Sequence, residues 1–399
     1  MTPSMTPMPR VSFSIGSARF AVILVAAASA GLLLGTPAAL GATAAGAPRD
    51  GTTAPRPAAA VHYTFRGVGD LPGGRVQSEA LGVSEDGRVV FGESASERSS
   101  GGAEAFVWTE KDGLRPLGGA FPPAAQSQPR ASSPDGRILV GHSISPSGMP
   151  IATIWKGSEP PRALGDLVGG GESSGALAVS ADGDLVVGWG TSQEGNEAAR
   201  WKSGAPAEAL GDLPGGPLHS GAALVTRDRS TIVGTGSVAD GQEIAVWSKD
   251  GVRGLGDLPG GERRSEPFAM TPKGDVVVGR AVSASCMEAA RWTAAEGLVG
   301  LGDLPGGACE SIAFGIASDG GTIVGSASSE SGQEAFLWTK AAGMRSLRTV
   351  LREAGVREVE GWTLAVANGI SGDGRVIVGG GVNPAGNSEG WIVRIPKGR

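Results

Sequence analysis

Gly69-Asp70-Leu71-Pro72-Gly73-Gly74 is the stretch that decides the fold, because the same six residues return three more times along the chain. The identical copies lie at 211–216, 256–261 and 302–307, and a variant with valine in place of proline lies at 165–170. Consecutive starts at residues 165, 211, 256 and 302 are 46, 45 and 46 residues apart. A tandem period of this length is typical of repeated β units that stack on one another.

Each repeat contains four short β-type runs. In the first repeat these runs are 79–84, 88–93, 105–109 and 114–118. Asp86-Gly87 separates the first two runs, and Asp-Gly is the strongest short-range signal for a hairpin turn. The 68 glycines and 26 prolines make up nearly a quarter of the 399 residues, which disfavours long helices. The sequence therefore predicts an all-β protein built from four-stranded antiparallel units.

The last repeat lacks its fourth run. Its first three runs are 364–371, 375–380 and 390–395, after which the chain ends, whereas 63–71 near the other end resembles a fourth run. An N-terminal strand that completes the last unit would remove the exposed sheet edges of an open array. We therefore predict that 61–399 is a seven-bladed β-propeller, closed by an N-terminal strand that completes the last blade.

The N-terminus has the features of an export signal. Arg10 and Arg19 precede an apolar run at 20–35, and small residues follow around 42–44. We predict a signal peptide at 1–44 and an Ala/Pro/Gly-rich linker at 45–60, which implies a secreted, extracellular or periplasmic protein. The alternative is an uncleaved membrane anchor, since the apolar stretch approaches the length of a membrane span.

The charge of the chain argues against one class of partner. The net charge of −6 becomes −8 when 1–44, which carry two arginines and no acid, are removed. An acidic chain is not expected to bind nucleic acid. We expect no membrane contact after signal cleavage, a monomer, and an unidentified protein or glycan as the partner.

Tryptophan recurs with the period of the repeat. A ring of aromatic side chains could stack on carbohydrate, but side chains repeated once per unit are usually core residues, and we favour a core role. In the last repeat the equivalent residue is Val393, which a packing role tolerates. The recurring residues are Trp108, Trp155, Trp201, Trp247, Trp292 and Trp338.

The repeat resembles a known bacterial family. Leu-Gly-Asp-Leu-Pro-Gly-Gly is followed by Ser-x-Ala, Ser-x-Asp-Gly, Val-Val-Gly and Glu-Ala-Phe-x-Trp, the last at 104–108 and 334–338. This pattern is similar to the extracellular HAF repeats and covers about Val61 to Arg399. The resemblance implies an exported repeat protein of undefined biochemical role and brings no catalytic residues. The second repeat departs most, with 118–123 in place of its loop.

Two sets of residues are candidates for binding chemistry on the loop side of the repeats. Carboxylates gathered on one face could bind calcium, which takes six to eight oxygen ligands; alternatively each caps backbone N–H groups of its own loop, which we favour. Cys286 and Cys309 lie in adjacent repeats and predict a disulfide in an oxidising compartment, although two free thiols remain the alternative. The candidate metal-binding carboxylates are Asp70, Asp166, Asp212, Asp257 and Asp303.

No catalytic arrangement is evident from residue spacing. His62, His142 and His219 are scattered and accompany no repeated Ser and Asp of a nucleophilic triad. We therefore expect a non-catalytic, exported binding scaffold, with specificity set by the loops at 94–102 and 347–361, the latter with a short helix at 349–353. The alternatives are a structural envelope or matrix protein, and a propeller hydrolase or lyase on an extracellular polysaccharide. Axial acids would favour the enzyme, and the candidates are Glu79, Glu172, Glu266 and Glu310.

Overall fold

The computed structural model describes residues 63–396, so the predicted signal peptide and linker lie outside the described residues. The protein is nearly all-β, with 57% strand and 4% helix, and has a propeller-type fold. This confirms the all-β, propeller-type part of the predicted fold class. Among the described residues, no helix is long and apolar enough to cross a membrane.

The strands form antiparallel meanders that follow the sequence repeat, and we number the meanders as units in chain order. Each meander contains a first, second, third and fourth strand joined by short connections. The opening strand is β1 (Thr64–Gly67); unit 1 is β2 (Gly73–Val83), β3 (Val89–Ser96), β4 (Ala103–Thr109) and β5 (Gly113–Pro116); unit 2 is β6 (Ser127–Ser132), β7 (Ile138–Ile144), β8 (Pro150–Lys156) and β9 (Arg162–Ala163); unit 3 is β10 (Gly169–Val179), β11 (Leu185–Ser192), β12 (Asn196–Lys202) and β13 (Glu208–Ala209).

The second half of the described chain repeats this arrangement, and its last unit has three strands of its own. Unit 4 is β14 (Gly221–Val225), β15 (Ile232–Val238), β16 (Gly241–Ser248) and β17 (Gly251–Gly254); unit 5 is β18 (Gly260–Met270), β19 (Val276–Ser283), β20 (Met287–Thr293) and β21 (Gly297–Gly300); unit 6 is β22 (Gly306–Ile316), β23 (Thr322–Ser329), β24 (Gly332–Thr339) and β25 (Gly343–Ser346); unit 7 is β26 (Thr363–Ile370), β27 (Val376–Val382) and β28 (Ser388–Arg394).

The two ends of the described chain meet in one sheet. β1 pairs antiparallel with β28, with Thr64 opposite Arg394 and Gly67 opposite Trp391. The first strands of consecutive units contact one another, and β26 likewise contacts β2. β1 therefore occupies the position of a fourth strand in unit 7.

A serine in the first strand, or directly before it, joins most units to the preceding one. Ser174 Oγ, for example, accepts a hydrogen bond of 3.1 Å from Ala152 N in the third strand of unit 2. Ser78 Oγ accepts the equivalent bond of 3.2 Å from Gly390 N, which joins unit 7 to unit 1. The same bond is accepted by Ser127, Ser220, Ser265 and Ser311.

The Asp-Gly hairpins are stabilised by their own side chains. Asp86 Oδ1 accepts hydrogen bonds from Ser84 Oγ at 2.6 Å and from Arg88 N at 3.0 Å. Gly87 has φ = +73°, a conformation that favours glycine. This explains why Ser-x-Asp-Gly recurs as a unit of sequence.

The hydrophobic core lies between neighbouring units. Val140 and Ile154 of unit 2, for example, pack in one cluster with Val186 and Trp201 of unit 3. Burial of such apolar side chains stabilises the fold by about 25 cal/mol per Å² removed from water. The units therefore depend on each other for stability.

Several element boundaries differ from the sequence expectation. β2 begins six residues before the predicted run, because Gly73 already pairs with Ser96 at the end of β3. The fourth strands β9 and β13 have only two residues each. The helix predicted at 349–353 is α1 (Leu347–Glu353), which begins two residues earlier, after the N-cap Ser346.

Candidate functional site

A β-bulge recurs near the middle of every first strand and creates the special positions of the repeat. In unit 1, Ala80 pairs with Gly92 and Gly82 pairs with Phe91, so that Leu81 is the extra, unpaired residue. Such a bulge twists the strand and redirects its side chain. The extra residues are Leu81, Arg130, Leu177, Ala223, Phe268, Phe314 and Asn368.

The bulge also explains a recurring glycine of the second strand, which follows valine in six units and Phe91 in unit 1, and which we call the Val-Gly glycine. A Cβ atom on Gly92 would lie 2.0 Å from the carbonyl oxygen of Glu79, and one on Gly279 would lie 1.8 Å from that of Glu266. No residue with a side chain fits against the first strand at that distance. The glycine is therefore required by the backbone geometry, and the residue after it is free to vary.

The residue after this glycine differs in every unit. It lies directly opposite a first-strand residue, as Glu93 lies opposite Glu79 and Arg280 lies opposite Glu266. The first-strand residues opposite them vary too, for example Glu79, Gln128 and Ile312, so the fold does not require one residue type at these positions. The variable residues are Glu93, His142, Trp189, Thr235, Arg280, Ser326 and Gly380.

Units 7, 1 and 2 place a polar cluster at these positions. Gln128 Nε2 donates to Glu93 Oε2 at 2.5 Å. Asn368 Nδ2 donates to Glu79 Oε1 at 2.7 Å and to Ala80 O at 3.0 Å. Glu93 is only 8% exposed, so two carboxylates from adjacent strands share a site that is largely removed from water.

Arg130 and His142 complete the cluster, and its electrostatics are unusual. Burial, together with the nearby Glu79, raises the pKa of Glu93 to about 7, against the opposing effects of Gln128 and Arg130. Burial also lowers the pKa of Arg130, against the attraction of both carboxylates. Burial and the positive charge of Arg130 lower the pKa of His142 to about 3, so its imidazole is neutral at pH 7.

The cluster can exchange protons near neutral pH. A carboxyl whose pKa is close to 7 is poised to give or take a proton at that pH. Arg130 Nε is buried and has no hydrogen-bond partner among the described residues. Its guanidinium interacts electrostatically with Glu93 and Glu79. We call Glu79, Glu93, Gln128, Arg130, His142 and Asn368 the acid cluster.

Units 3, 5 and 6 carry aromatic side chains at the bulge and variable positions. Trp189 lies over Gly175, where a Cβ atom would come within 2.6 Å of the indole Nε1. Phe268 and Phe314 form an edge-to-face pair with ring centroids 5.2 Å apart. Arg280 lies over the ring of Phe268 at 5.7 Å. Aromatic faces of this kind can pack against the apolar face of a sugar ring.

The five candidate metal-binding aspartates each bond to their own loop. Asp166, for example, accepts hydrogen bonds of 2.8–2.9 Å from the N–H groups of Leu167, Ser173 and Thr191. In the part of the chain that the structure describes, no group of three or more His, Cys, Asp or Glu side chains is placed to hold a metal. Asp212, Asp257 and Asp303 accept from backbone N–H groups of their loops in the same way, and Asp70 accepts from Gln77 N and the Ser94 hydroxyl.

The two cysteines are placed at disulfide distance. Cys286 lies between β19 and β20, and its Cα atom is 5.7 Å from that of Cys309. Cys309 lies within β22 rather than in the loop before it, because β22 begins at Gly306. The pair joins units 5 and 6 and suggests an oxidising compartment.

The recurring tryptophans lie in the packing between units. Trp108, Trp155, Trp201 and Trp247 are buried, whereas Trp292 and Trp338 are partly buried and pack against core clusters. In unit 7, Val393 lies opposite Ile377, as Trp108 lies opposite Val90. These side chains therefore stand apart from the acid cluster.

Only part of the acid cluster was among the sequence candidates. Glu79 and Glu266 occupy the first-strand position of the lining, whereas Glu172 and Glu310 are exposed. Glu93, Arg130, Gln128 and Asn368 were not among the candidates, and His142 was treated as an isolated histidine. The signal that could have found Glu93 and His142 is their position directly after the Val-Gly glycine.

Comparisons with known proteins agree with the fold. No family model matches the chain, and no curated protein matches it. Among solved structures, oligogalacturonate lyase from Vibrio parahaemolyticus has 12% identity over 85% of this chain and 99% of that chain, with a TM-score of 0.52. Puromycin hydrolase has 13% identity over 82% and 54%, with a TM-score of 0.49. TolB from Acinetobacter baumannii has 15% identity over 54% and 51%, with a TM-score of 0.39.

The chain spans only about half the length of the last two proteins. At these identities the likeness concerns the fold alone, which is the propeller-type fold of the lyase.

One expectation from the sequence is wrong. The absence of a nucleophilic triad in the residue spacing led to the expectation that the chain is not an enzyme. A fold match over 85% of the chain is to an enzyme, the oligogalacturonate lyase, so this fold supports catalysis. Spacing along the chain cannot reveal side chains that come together from different units, as those of the acid cluster do.

Proposed function

We propose that the described units are seven blades of a closed propeller of the HAF-repeat type. Three observations support closure: β1 pairs with β28, β26 contacts β2, and Gly390 N donates to Ser78 in the same way as at other junctions. In such a ring the first strands line a central channel. The acid cluster then lies on the wall of that channel.

We infer that the protein is an exported enzyme that cleaves glycosidic bonds of an extracellular polysaccharide, as a hydrolase or a lyase. The observation that carries this proposal is Glu93, a carboxyl with a pKa of about 7 beside Glu79 and Arg130. The fold match to an oligogalacturonate lyase favours polysaccharide over other substrates. The cysteine pair at disulfide distance is consistent with action outside the reducing cytosol.

The cluster suits either route of cleavage. In hydrolysis, one carboxylic acid protonates the departing sugar oxygen and a second carboxylate activates water or attacks the sugar. Glu93 fits the first role, and Glu79, which Asn368 orients, fits the second. In elimination from a uronate, Arg130 would hold the sugar carboxylate, and Glu93 would take the proton from the carbon next to that carboxylate. A carbon–carbon double bond would then form as the glycosidic C–O bond on the adjacent carbon breaks, and the departing sugar oxygen would take a proton from water.

The experiment is digestion of a panel of neutral and uronate-containing polysaccharides with the full chain. New reducing ends report either reaction, and ultraviolet absorbance of an unsaturated sugar reports only elimination. Glu93→Gln should lower the turnover by about 100-fold or more, the scale of a general acid–base group. Glu266→Gln, which changes the residue equivalent to Glu79 in unit 5, is the control and should retain the turnover.

The outcome against this proposal is also specific. If no polysaccharide is cleaved, or if Glu93→Gln cleaves as fast as the wild type, the acid cluster does not catalyse the reaction.

A further inference from the structure

The ends of the first strands meet on the turn side of the units. At this level Arg227 Nη2 in unit 4 donates to Glu85 Oε2 in unit 1, and Ser318 Oγ in unit 6 donates to Glu85 Oε1 at 3.2 Å. Gly372 N in unit 7 donates to Glu85 O at 2.8 Å. Residues from four units therefore contact one another around Glu85.

These contacts occupy one repeated position, which follows a serine or threonine in six units and Ala317 in unit 6. Five units have small residues or proline there, and only units 1 and 4 carry long side chains, of opposite charge. In a ring of seven, units 1 and 4 are as far apart as two units can be. A bond between them must cross the axis. The residues at this position are Glu85, Pro134, Ala181, Arg227, Pro272, Ser318 and Gly372.

Backbone hydrogen bonds narrow the same opening. Asp86 N donates to Pro134 O at 3.2 Å, Arg227 N donates to Pro272 O at 2.9 Å, and Ser318 N donates to Gly372 O at 2.9 Å. Each of these bonds draws the turns of two neighbouring units together. Main-chain hydrogen bonds and the Glu85–Arg227 pair thus narrow the turn end of the channel.

The opposite end is arranged differently. At the loop side, the described residues form hydrogen bonds between neighbouring units. Gly69 N donates to Glu389 Oε1 at 3.0 Å, and Gln126 Nε2 donates to Ser99 O at 2.9 Å. The acid cluster lies between the two ends. Arg130 is in β6, four residues before Pro134 at the turn end. At about 3.3 Å per residue, that places it roughly 13 Å from the turn end.

We infer that the channel is a blind pocket, open only at the loop side, and that its ligands are the ends of polysaccharide chains rather than internal segments. This inference rests on the proposed function. A long polymer cannot pass through a channel that is closed below the acid cluster, so a chain end must enter from the loop side. The enzyme would then shorten its substrate from one end.

The closure has a test that does not depend on activity. Ala223 occupies the bulge position of β14, is partly exposed and lies outside the acid cluster. In an Ala223→Cys chain, whose other two cysteines are paired, a small maleimide reports access to the channel. The double change Glu85→Ala with Arg227→Ala should increase the labelling rate several-fold, because it opens a second route. The charge exchange Glu85→Arg with Arg227→Glu should leave the labelling rate of the Ala223→Cys chain unchanged.

The end-on mode is tested with the wild-type chain on a long polysaccharide. Viscosity should fall slowly while reducing ends accumulate, since removal of end units leaves most of each polymer intact. A rapid fall in viscosity, which indicates internal cleavage, would overturn the end-on inference but leave the proposed enzyme in place. Absence of any cleavage would instead count against the proposed function. Equal labelling rates in the Ala223→Cys chain and in both of its Glu85 and Arg227 variants would overturn the closure itself.

Discussion

Units 1 and 5 carry different side chains at equivalent positions of the repeat. Glu79 lies opposite Glu93 across β2 and β3, and Glu266 lies opposite Arg280 at the equivalent positions of β18 and β19. In unit 5, Arg280 Nη2 is 2.7 Å from Glu266 Oε2, and Arg264 Nε is 3.1 Å from Glu266 Oε1. The acid in unit 5 is thus neutralised by two arginines.

Unit 1 pairs two carboxylates at these positions instead of a carboxylate and an arginine, and Arg130 of unit 2 attracts both of them. Two carboxylates face each other there, and burial together with Glu79 raises the pKa of Glu93 to about 7. A fold gains nothing from such an arrangement, because a buried carboxyl costs free energy when it ionises. The same strand pairing accommodates Glu79 with Glu93 in unit 1 and Glu266 with Arg280 in unit 5. The pair of carboxyls in unit 1 is therefore the candidate for function.

The largest expected effect comes from relieving the strain in unit 1. The unfolded chain releases the Glu93 proton near pH 4.5 and the folded chain releases it near pH 7. Wild-type stability therefore falls as the pH rises between these values, by about 3 kcal/mol at 1.36 kcal/mol per pH unit. Glu93→Gln should be more stable than the wild type by up to about that amount above pH 7, and similar to it near pH 4.5.

Urea denaturation across this pH range measures the difference. Glu110→Gln, which changes an exposed acid of the same unit, is the control and should show no such trend. A Glu93→Gln chain that is less stable than the wild type at every pH would mean that Glu93 is an ordinary structural acid.

The next effect comes from making unit 5 resemble unit 1. Arg280→Gln leaves Glu266 with only the more exposed Arg264, and the free energy of unfolding at pH 7 should fall by about 2 kcal/mol. The comparison variant is Arg291→Gln, which breaks a pair with the half-exposed Glu296. Equal losses in the two variants would show that the unit 5 pair is no more important than a surface contact.

A smaller effect should follow from removing the amide beside Glu93. Gln128 Nε2 donates to Glu93 and lowers its pKa. Gln128→Leu should therefore raise the pKa of Glu93 further above 7 and cost about 1 kcal/mol of stability at pH 8. A pH titration of unfolding free energy measures both. A pKa that falls would contradict the assignment of this hydrogen bond.

The smallest effect belongs to an ion pair outside the variable positions. Arg229 Nη1 lies 2.8 Å from Asp182 Oδ2, and both side chains are about half exposed. Solvent screening limits such pairs to less than about 1 kcal/mol. Arg229→Gln should change the melting temperature little. A loss of stability as large as that of Arg280→Gln would mean that the pair at the variable positions is no stronger than an exposed ion pair.

Much of the fold was predictable because local signals repeat. Asp86-Gly87, the Val-Gly glycine Gly92 and the strand-ending Trp108 define turns and strands within one unit. Their recurrence predicted the meanders, and the missing fourth strand of the last unit predicted the pairing of β1 with β28, which the structure contains.

The candidate site was less predictable because bulges and contacts between units create it. Arg130 and Asn368 reach the acid cluster only because each is the extra residue of a bulge. The raised pKa of Glu93 depends on burial and on Glu79 across the strand pair, 14 residues away in the chain. Neither property can be inferred from the spacing of residues within one repeat.

The most direct test of the account is a measurement of the pKa of Glu93 in the folded protein. A carbon-13 NMR titration of labelled glutamate carboxyls, with the Glu93 signal assigned by its loss in Glu93→Gln, provides it. The account predicts a transition near pH 7. A transition near the ordinary value of 4.5 would contradict the claim that unit 1 holds a strained acid poised for proton transfer.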